Sequence, residues 1–305
     1  MAITAPTLTT DFDSHFLPPH MATNYFSEVA KRSVVQQLAR KVPLSANGET
    51  IPVVTSKPTA GWVAQGAQKP ASKGGLGVLS MEPKKIAAIA VVSSETVRAN
   101  PGGYMQIFRD DIAEAFALAF DAAVLHGTNS PFAHNIDETT KAVALGTATA
   151  DKGGVYADLN SAIKLMVDDD RRKLSGWVFD TTAEPLLNGS VDANGRPLLV
   201  DPVYSASTLG SARLLGRSAQ FGDTVAGTGV GAPIGYGGDW SKIVWGSVGG
   251  ISWSTSTEAT VTINGELKSL WENNLVAILA EAEFGCLIAD TASFVKLTDA
   301  SAPAA

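Results

Sequence analysis

Few side chains in this 305-residue sequence stand at spacings that support chemistry. Gly227-Thr228-Gly229-Val230-Gly231 and Gly235-Tyr236-Gly237-Gly238 resemble a phosphate cradle in composition. A dinucleotide-binding loop, however, needs a strand before it, a helix directly after it and an acidic residue further on. No helical pattern follows, so the glycine-rich stretch 222–238 reads as a flexible loop. Ser161-Ala162-Ile163-Lys164 spells the S-x-x-K of penicillin-binding enzymes, without their S-D-N and K-T-G companions. Asp168-Asp169-Asp170 points three carboxylates in different directions around a helix, which cannot converge on one ion. With Arg171, Arg172 and Lys173 behind it, the run reads as a solvated helix end. His15, His20, His126 and His134 have neither H-E-x-x-H nor H-x-H spacing, and His126 reads as the structural cap of an apolar helix. The single cysteine, Cys286, lies in an apolar run and reads as an inert core thiol; it leaves no partner for an internal disulfide or a cysteine-built zinc site. Asn188-Gly189-Ser190 is a glycosylation sequon by spelling only. No catalytic, cofactor or metal constellation emerges.

The elements that would have to position such groups are clearer. Hydrophobic residues make up 45% of the chain, enough for a sizeable core, while charged residues are only 17%, below the roughly 25% of ordinary soluble domains. A chain with so few charges tends to bury surface against other subunits. The net charge of −7 argues against electrostatic grip on nucleic acid. No apolar run approaches the roughly 20 residues of a membrane helix, and no basic, then apolar, leader is visible.

Residues 1–24 have no periodicity and read as an extended arm. Residues 25–40 read as a helix capped by Ser27, with Arg40 and Lys41 at its C-terminal end and Pro43 stopping it. Strands are expected at Ile51–Val54, from Gly61 to Ala64, from Leu76 to Met81 and from Ile86 to Val92, forming a long hairpin with Lys69 and Lys73 at its tip. Residues 104–126 are the clearest helix, with Phe108, Ile112, Phe116, Phe120 and Val124 on one stripe. A second helix is expected from Tyr156 to Asp168, then strands at Trp177–Phe179, Ile243–Trp245, Ile251–Trp253 and Val261–Ile263. Leu275–Leu279, Cys286–Ile288 and Phe294–Leu297 read as a closing meander, and 299–305 as a frayed tail.

The order arm, short helix, long hairpin, spine-like helix, mixed lobe, β-rich lobe and return strands resembles the major capsid proteins of tailed bacteriophages with the Hong Kong 97-type fold. The residues that carry the resemblance are Gly61-Trp62-Val63-Ala64-Gln65-Gly66, Lys69-Pro70, Met81-Glu82-Pro83-Lys84-Lys85-Ile86 and Pro101-Gly102-Gly103. Ala117 to Ala123, His126-Gly127-Thr128-Asn129-Ser130-Pro131-Phe132, Asn274 to Glu281 and Phe294-Val295-Lys296-Leu297 add to it. The chain looks most like the capsid proteins of phages that infect actinobacteria.

The resemblance implies an α+β fold with an N-arm at 1–48, an E-loop at 49–96 and a P domain at 97–175 containing spine helix 104–126. It further implies an A domain at 176–265 and P-domain return strands at 266–298. The implied function is structural: self-assembly into hexamers and pentamers of an icosahedral shell that encloses double-stranded DNA without reading its sequence, in the virion, after assembly in the host cytoplasm. The implied partners are other copies, a portal, a decoration protein and a scaffolding protein, the last separate because Met1 stands close to the arm. Some relatives weld their shells by a bond between an E-loop Lys and a P-domain Asn, helped by a Glu seven residues further on. The matching set is Lys69 or Lys73, Asn274 and Glu281, the latter two on opposite faces of a strand, so that different subunits complete the site. Rival readings are an encapsulin-type nanocompartment shell, a cytosolic enzyme using the glycine-rich loop, and a tail or decoration protein.

Overall fold

Two β-sheets share one long helix, and the period-2 alternation of apolar side chains decides which face of each sheet is buried. The computed structural model describes residues 33–56, 58–66, 68–69, 71–99, 104–168, 172–190, 199, 211–229 and 231–300. The expected arm, His15, His20 and the tail lie outside these residues, apart from Asp299 and Ala300.

Helix α1 (Val34–Leu38) leads into β1 (Arg40–Lys41), then into an antiparallel hairpin of β2 (Glu49–Ser56) and β3 (Gly75–Met81). Strand β4 (Lys84–Ser93) runs into α2 (Ser94–Ala99), followed by α3 (Tyr104–His126). Next come β5 (Ala142–Leu145), α4 (Gly154–Asp168), β6 (Gly176–Asp180), α5 (Glu184–Asn188), β7 (Ser211–Leu214), β8 (Arg217–Gly222) and β9 (Pro233–Gly238). The chain closes through β10 (Ile243–Ser247), β11 (Ser252–Ser256), the hairpin β12 (Thr260–Ile263) and β13 (Glu266–Ser269), β14 (Leu275–Ile288) and β15 (Phe294–Asp299). One sheet has the order β5-β15-β9-β6-β8-β7; the other runs β1-β10-β14-β11, with β4 on the opposite edge of β14.

Helix α3 has the extent its stripe predicts. At about 1.5 Å per residue it spans roughly 35 Å. Its Phe108, Ile112 and Phe116 pack on the β4–β14–β11 sheet with Ala280 and Ala282. Phe120, Val124 and Leu125 pack on the six-stranded sheet with Val178, Tyr236 and Phe294. The other face of that sheet carries Trp177, Phe179, Val295 and Leu297 against Leu159, Ala162 and Met166 of α4. Gly127, at φ +69, ends α3 with its N–H on the Ala123 carbonyl at 3.2 Å.

Four expectations are corrected. Among the described residues the first helix is Val34–Leu38, capped by Ser33, and it stops short of Arg40 and Lys41, which form a strand parallel to Val244 and Trp245; the expected cap Ser27 lies outside the described residues. Residues 61–64 are exposed loop, not strand. Leu275 to Ile288 is one strand, because β4 on one edge and β11 and β10 in turn on the other pair along its whole length.

The largest correction concerns Gly235-Tyr236-Gly237-Gly238. It is no loop but most of β9, an interior strand paired with β6 and β15. Its glycines make room for rings: a Cβ at Gly235 would stand 2.6 Å from Phe179, and one at Gly237 2.5 Å from Trp177. Of the other motif, Gly227–Gly229 and Gly231 lie outside any strand, between β8 and β9. The cut expected at 265/266 falls in the turn of the β12–β13 hairpin. The sheets also interleave in sequence, since β10 and β11 pair with β14 while β15 pairs with β9.

Candidate functional site

The groups first considered for chemistry are occupied structurally. Ser161 Oγ donates to the Ala157 carbonyl of its own helix at 2.9 Å, and Lys164 pairs with Asp168. Arg172 reaches across to Asp290 at 3.0 Å. Burial pushes the Cys286 thiol up to about 12, so it stays protonated and unreactive. Among the described residues no group of three or more His, Cys, Asp or Glu could hold a metal ion, and no helix is long and apolar enough to cross a membrane.

His126 ties the end of α3 to the six-stranded sheet. Its Nδ1 lies 2.9 Å from Asp137 Oδ2, and its Nε2 lies 3.2 Å from the Thr224 carbonyl. Tyr236 donates its hydroxyl to Asp137 Oδ1 at 2.8 Å. Both imidazole nitrogens thus face acceptors, which suits the imidazolium. Burial opposes charge on both partners, but the hydrogen bond and attraction between them prevail, holding His126 above and Asp137 below their ordinary values. A raised His value gives stability that is complete below about pH 6.5 and fades as pH rises through the folded value. A lowered Asp value gives stability complete above about pH 4 that fades as pH falls through its folded value. The pair is therefore at full strength between those limits. Tyr236→Phe removes one donor from Asp137 and is expected to cost about 1 kcal/mol in urea unfolding at pH 6.

The expected cross-link residues fall in two places. Lys69 and Lys73 are exposed in the loop joining β2 to β3. Asn274 is not on the strand but in the turn before it, exposed, at φ +52. Its carbonyl accepts from Ser94 N at 3.0 Å, and its Nδ2 donates to Glu95 Oε1 on α2. Glu281 is on β14, paired with Lys85 at 3.1 Å. Seven residues of extended chain separate Asn274 from Glu281 by about 23 Å. Within one chain the carboxylate beside Asn274 is accordingly Glu95, which the sequence reading missed. Its visible signal was only an acidic residue in the first turn of a short helix.

What remains is a set of unpartnered apolar surfaces remote from the core. The β2–β3 hairpin touches the body at its base, where Gly246 and Gly285 face each other across β10 and β14. Their lack of a Cβ admits Leu44 and Met81. Beyond the base, Leu76 and Val78 are exposed along β3, and Trp62 near the tip is fully exposed at 104%. Leu267 on β13 and Trp271 in the following turn are exposed as well. Leu76 and Val78 stand two residues apart on the same exposed face of β3, and adjacent exposed apolar side chains of this kind mark an interaction surface. The described residues hold no catalytic cluster of the kinds considered above.

A projecting hairpin, a long bridging helix and uncovered apolar tips define a protein built to assemble. The chain belongs to the phage capsid family, whose model matches residues 14–299. It is 39% identical to the "Probable major capsid protein gp17" of Mycobacterium phage D29 over 291 residues, covering 93% of this chain and 90% of that one. The corresponding protein of Mycobacterium phage L5 is 39% identical over 300 residues, 94% of this chain and 90% of that one. A chain from Gordonia phage Cozz superposes with a TM-score of 0.71 at 24% identity, covering 94% of this chain and 92% of that chain, which shows a shared Hong Kong 97-type fold.

Proposed function

We propose that this chain is the major capsid protein of a tailed phage. Copies associate into hexamers and pentamers, and these close into an icosahedral shell around double-stranded DNA. The observation that carries this reading is the family match over residues 14–299, with 39% identity to two mycobacteriophage proteins named as major capsid proteins. The fold supports it physically. A two-stranded hairpin is at best marginal alone in water, so the β2–β3 hairpin with its bare Leu76, Val78 and Trp62 gains stability when a neighbour covers it. In this reading residues 49–96 are the E-loop, 97–175 with spine helix 104–126 and the return strands 266–298 the P domain, and 176–265 the A domain. A portal, a scaffolding protein and decoration proteins complete the particle, which forms in the host cytoplasm.

The test is electron microscopy of particles purified from the native source. DNA-filled icosahedral shells with this chain as the main band are expected; a small uniform oligomer would overturn the reading, and an enzyme cargo without genome would turn it to a nanocompartment.

The same particles, boiled in denaturant, read the weld. A neutral Lys69 or Lys73 amine from a second copy attacks the Asn274 carboxamide carbon. The new C–N amide bond forms, a neighbouring carboxylate passes the amine proton to the leaving nitrogen, and ammonia departs. The hydrogen bond from Asn274 to Glu95 supports Glu95 as the carboxylate of that transfer, and the ion pair with Lys85 speaks against Glu281 of the same chain. A ladder of multimers that collapses to monomer in Asn274→Asp is expected from welded shells; a single monomer band from mature particles excludes the weld.

A further inference from the structure

Two side chains in water do not hold one another unaided, because ordering a glutamate costs rotamer entropy. Asn274 and Glu95 are both exposed, yet a hydrogen bond joins them across 179 residues of sequence. The backbone on either side supplies the order. Strand β4 ends at Ser93, opposite Leu275 on β14, and the next rung is the Ser94 N–H donating to the Asn274 carbonyl at 3.0 Å. There the two chains part: Asn274, at φ +52, belongs to the turn before β14, and α2 continues from β4.

A helix of six residues is too short to stand by itself, so its direction depends on its anchors. The start of α2 is fixed by a hydroxyl pair. Ser93 Oγ accepts from the Thr96 N–H at 3.2 Å and lies 2.8 Å from Thr96 Oγ1. Ser93 is 4% exposed and Thr96 is fully buried. Ser93 is therefore both the last residue of the strand and the cap of the helix. Glu95 follows two residues later, between the cap and Thr96. The turn that carries Asn274 is tied down as well. Leu275 N donates to the Leu270 carbonyl at 2.9 Å and Asn273 Nδ2 to the Ser269 carbonyl at 2.8 Å, with Leu270 and Leu275 buried beside Val91.

We propose that Ser93 and Thr96 are positioning residues of the weld: their hydroxyl pair fixes the strand-to-helix turn so that Glu95 meets the Asn274 carboxamide before a lysine of a second copy arrives. The inference rests on the weld set out above and deepens it. The contacts that Ser93 and Thr96 hydroxyls make are with each other and with the Thr96 N–H, so they act on Asn274 through Glu95. A proton acceptor held in place beforehand does not have to be found during the encounter, which is where much of the rate of a two-body reaction is lost. Without the cap, Glu95 keeps its chemistry and loses its place.

The test is the rate at which the multimer ladder grows in shells assembled from the full chain. Glu95→Gln is expected to slow it by about 100-fold or more. Ser93→Ala and Thr96→Val should each slow it by at least about tenfold in shells of unchanged yield, and Ser93→Thr, which keeps a hydroxyl at the cap, should restore it. Added to Glu95→Gln, Ser93→Ala should slow the ladder no further, which a merely structural role would not produce. If parent shells give no ladder, the weld reading fails and the positioning role with it. If the parent welds, three results overturn the positioning role alone: a parental rate in Glu95→Gln, a parental rate in a cap variant that forms shells, or an undiminished effect of Ser93→Ala on top of Glu95→Gln. Failure of both cap variants to form shells also overturns it, because the hydroxyl pair then serves the fold.

Discussion

Gly237→Val is expected to leave no soluble folded protein. Gly237 stands opposite Trp177 on β6 and Val295 on β15, in the middle of three paired strands. Its missing side chain is the space the Trp177 ring occupies, with Leu174 3.0 Å from where a Cβ would lie. Neither neighbour can retreat: Trp177 is fully buried and stacked on Phe179 with ring centroids 6.2 Å apart. Overpacking a dense core costs about 1–3 kcal/mol where it can relax and more where it cannot. Here the backbone pairing on both sides would have to part, so a loss above about 3 kcal/mol is expected, a large share of the roughly 5–15 kcal/mol that holds a domain together. The check is soluble yield and urea unfolding beside Gly250→Ala, where a Cβ meets nothing within 4 Å. Equal stability of the two variants would refute the packing account of β9.

Asp121→Ala is expected to cost about 3 kcal/mol and to detach the start of α1 from α3. The Asp121 carboxylate accepts from Ser33 Oγ at 2.5 Å, Val34 N at 2.8 Å and Val35 N at 3.3 Å, and the residue is 2% exposed. Removing it leaves buried donors without partners, which costs more than the bonds themselves contribute. Burial pushes the Asp121 carboxyl up to about 7, against the pull of these three donors. A carboxyl that holds its proton more tightly when folded contributes stability that is full below about pH 4 and is lost as pH rises through about 7. The intact chain should therefore weaken between pH 4 and pH 7 by this route, and Asp121→Ala should lack that component. Unfolding midpoints at pH 5 and pH 7 in both proteins measure it; an identical slope in the two would show that Asp121 does not titrate there. Amide exchange at Val34 and Val35 should speed up in the variant, because both N–H groups lose their acceptor.

Elements whose signal lies in their own side chains were legible in the sequence. Helix α3 announces itself because Phe108, Ile112, Phe116, Phe120 and Val124 repeat at helical spacing, and β6 because Trp177-Val178-Phe179 is a short apolar run. The hairpin was legible from its strand residues and polar tip. The capsid family was legible from the order of elements and the motifs at Gly61–Gly66, Met81–Ile86 and His126–Phe132. The arrangement around Asn274 was not, because hydrogen bonding to α2 depends on where β4 ends against β14, far away in sequence.

The sequence by itself determined the long helix, most strands and the family, since each is written in side-chain type, spacing or order. Only the tertiary structure decided that the glycine-rich stretch ends in a buried strand, that Leu275 to Ile288 is one strand, and that Asn274 faces Glu95. The reason is physical. A glycine has no side chain from which a periodicity can be read, so its burial is decided by the rings of Trp177, Phe179 and Phe294 that cover it. A strand's length is decided by the neighbours that pair with it, and an exposed amide's partner by which distant helix end the sheet brings alongside.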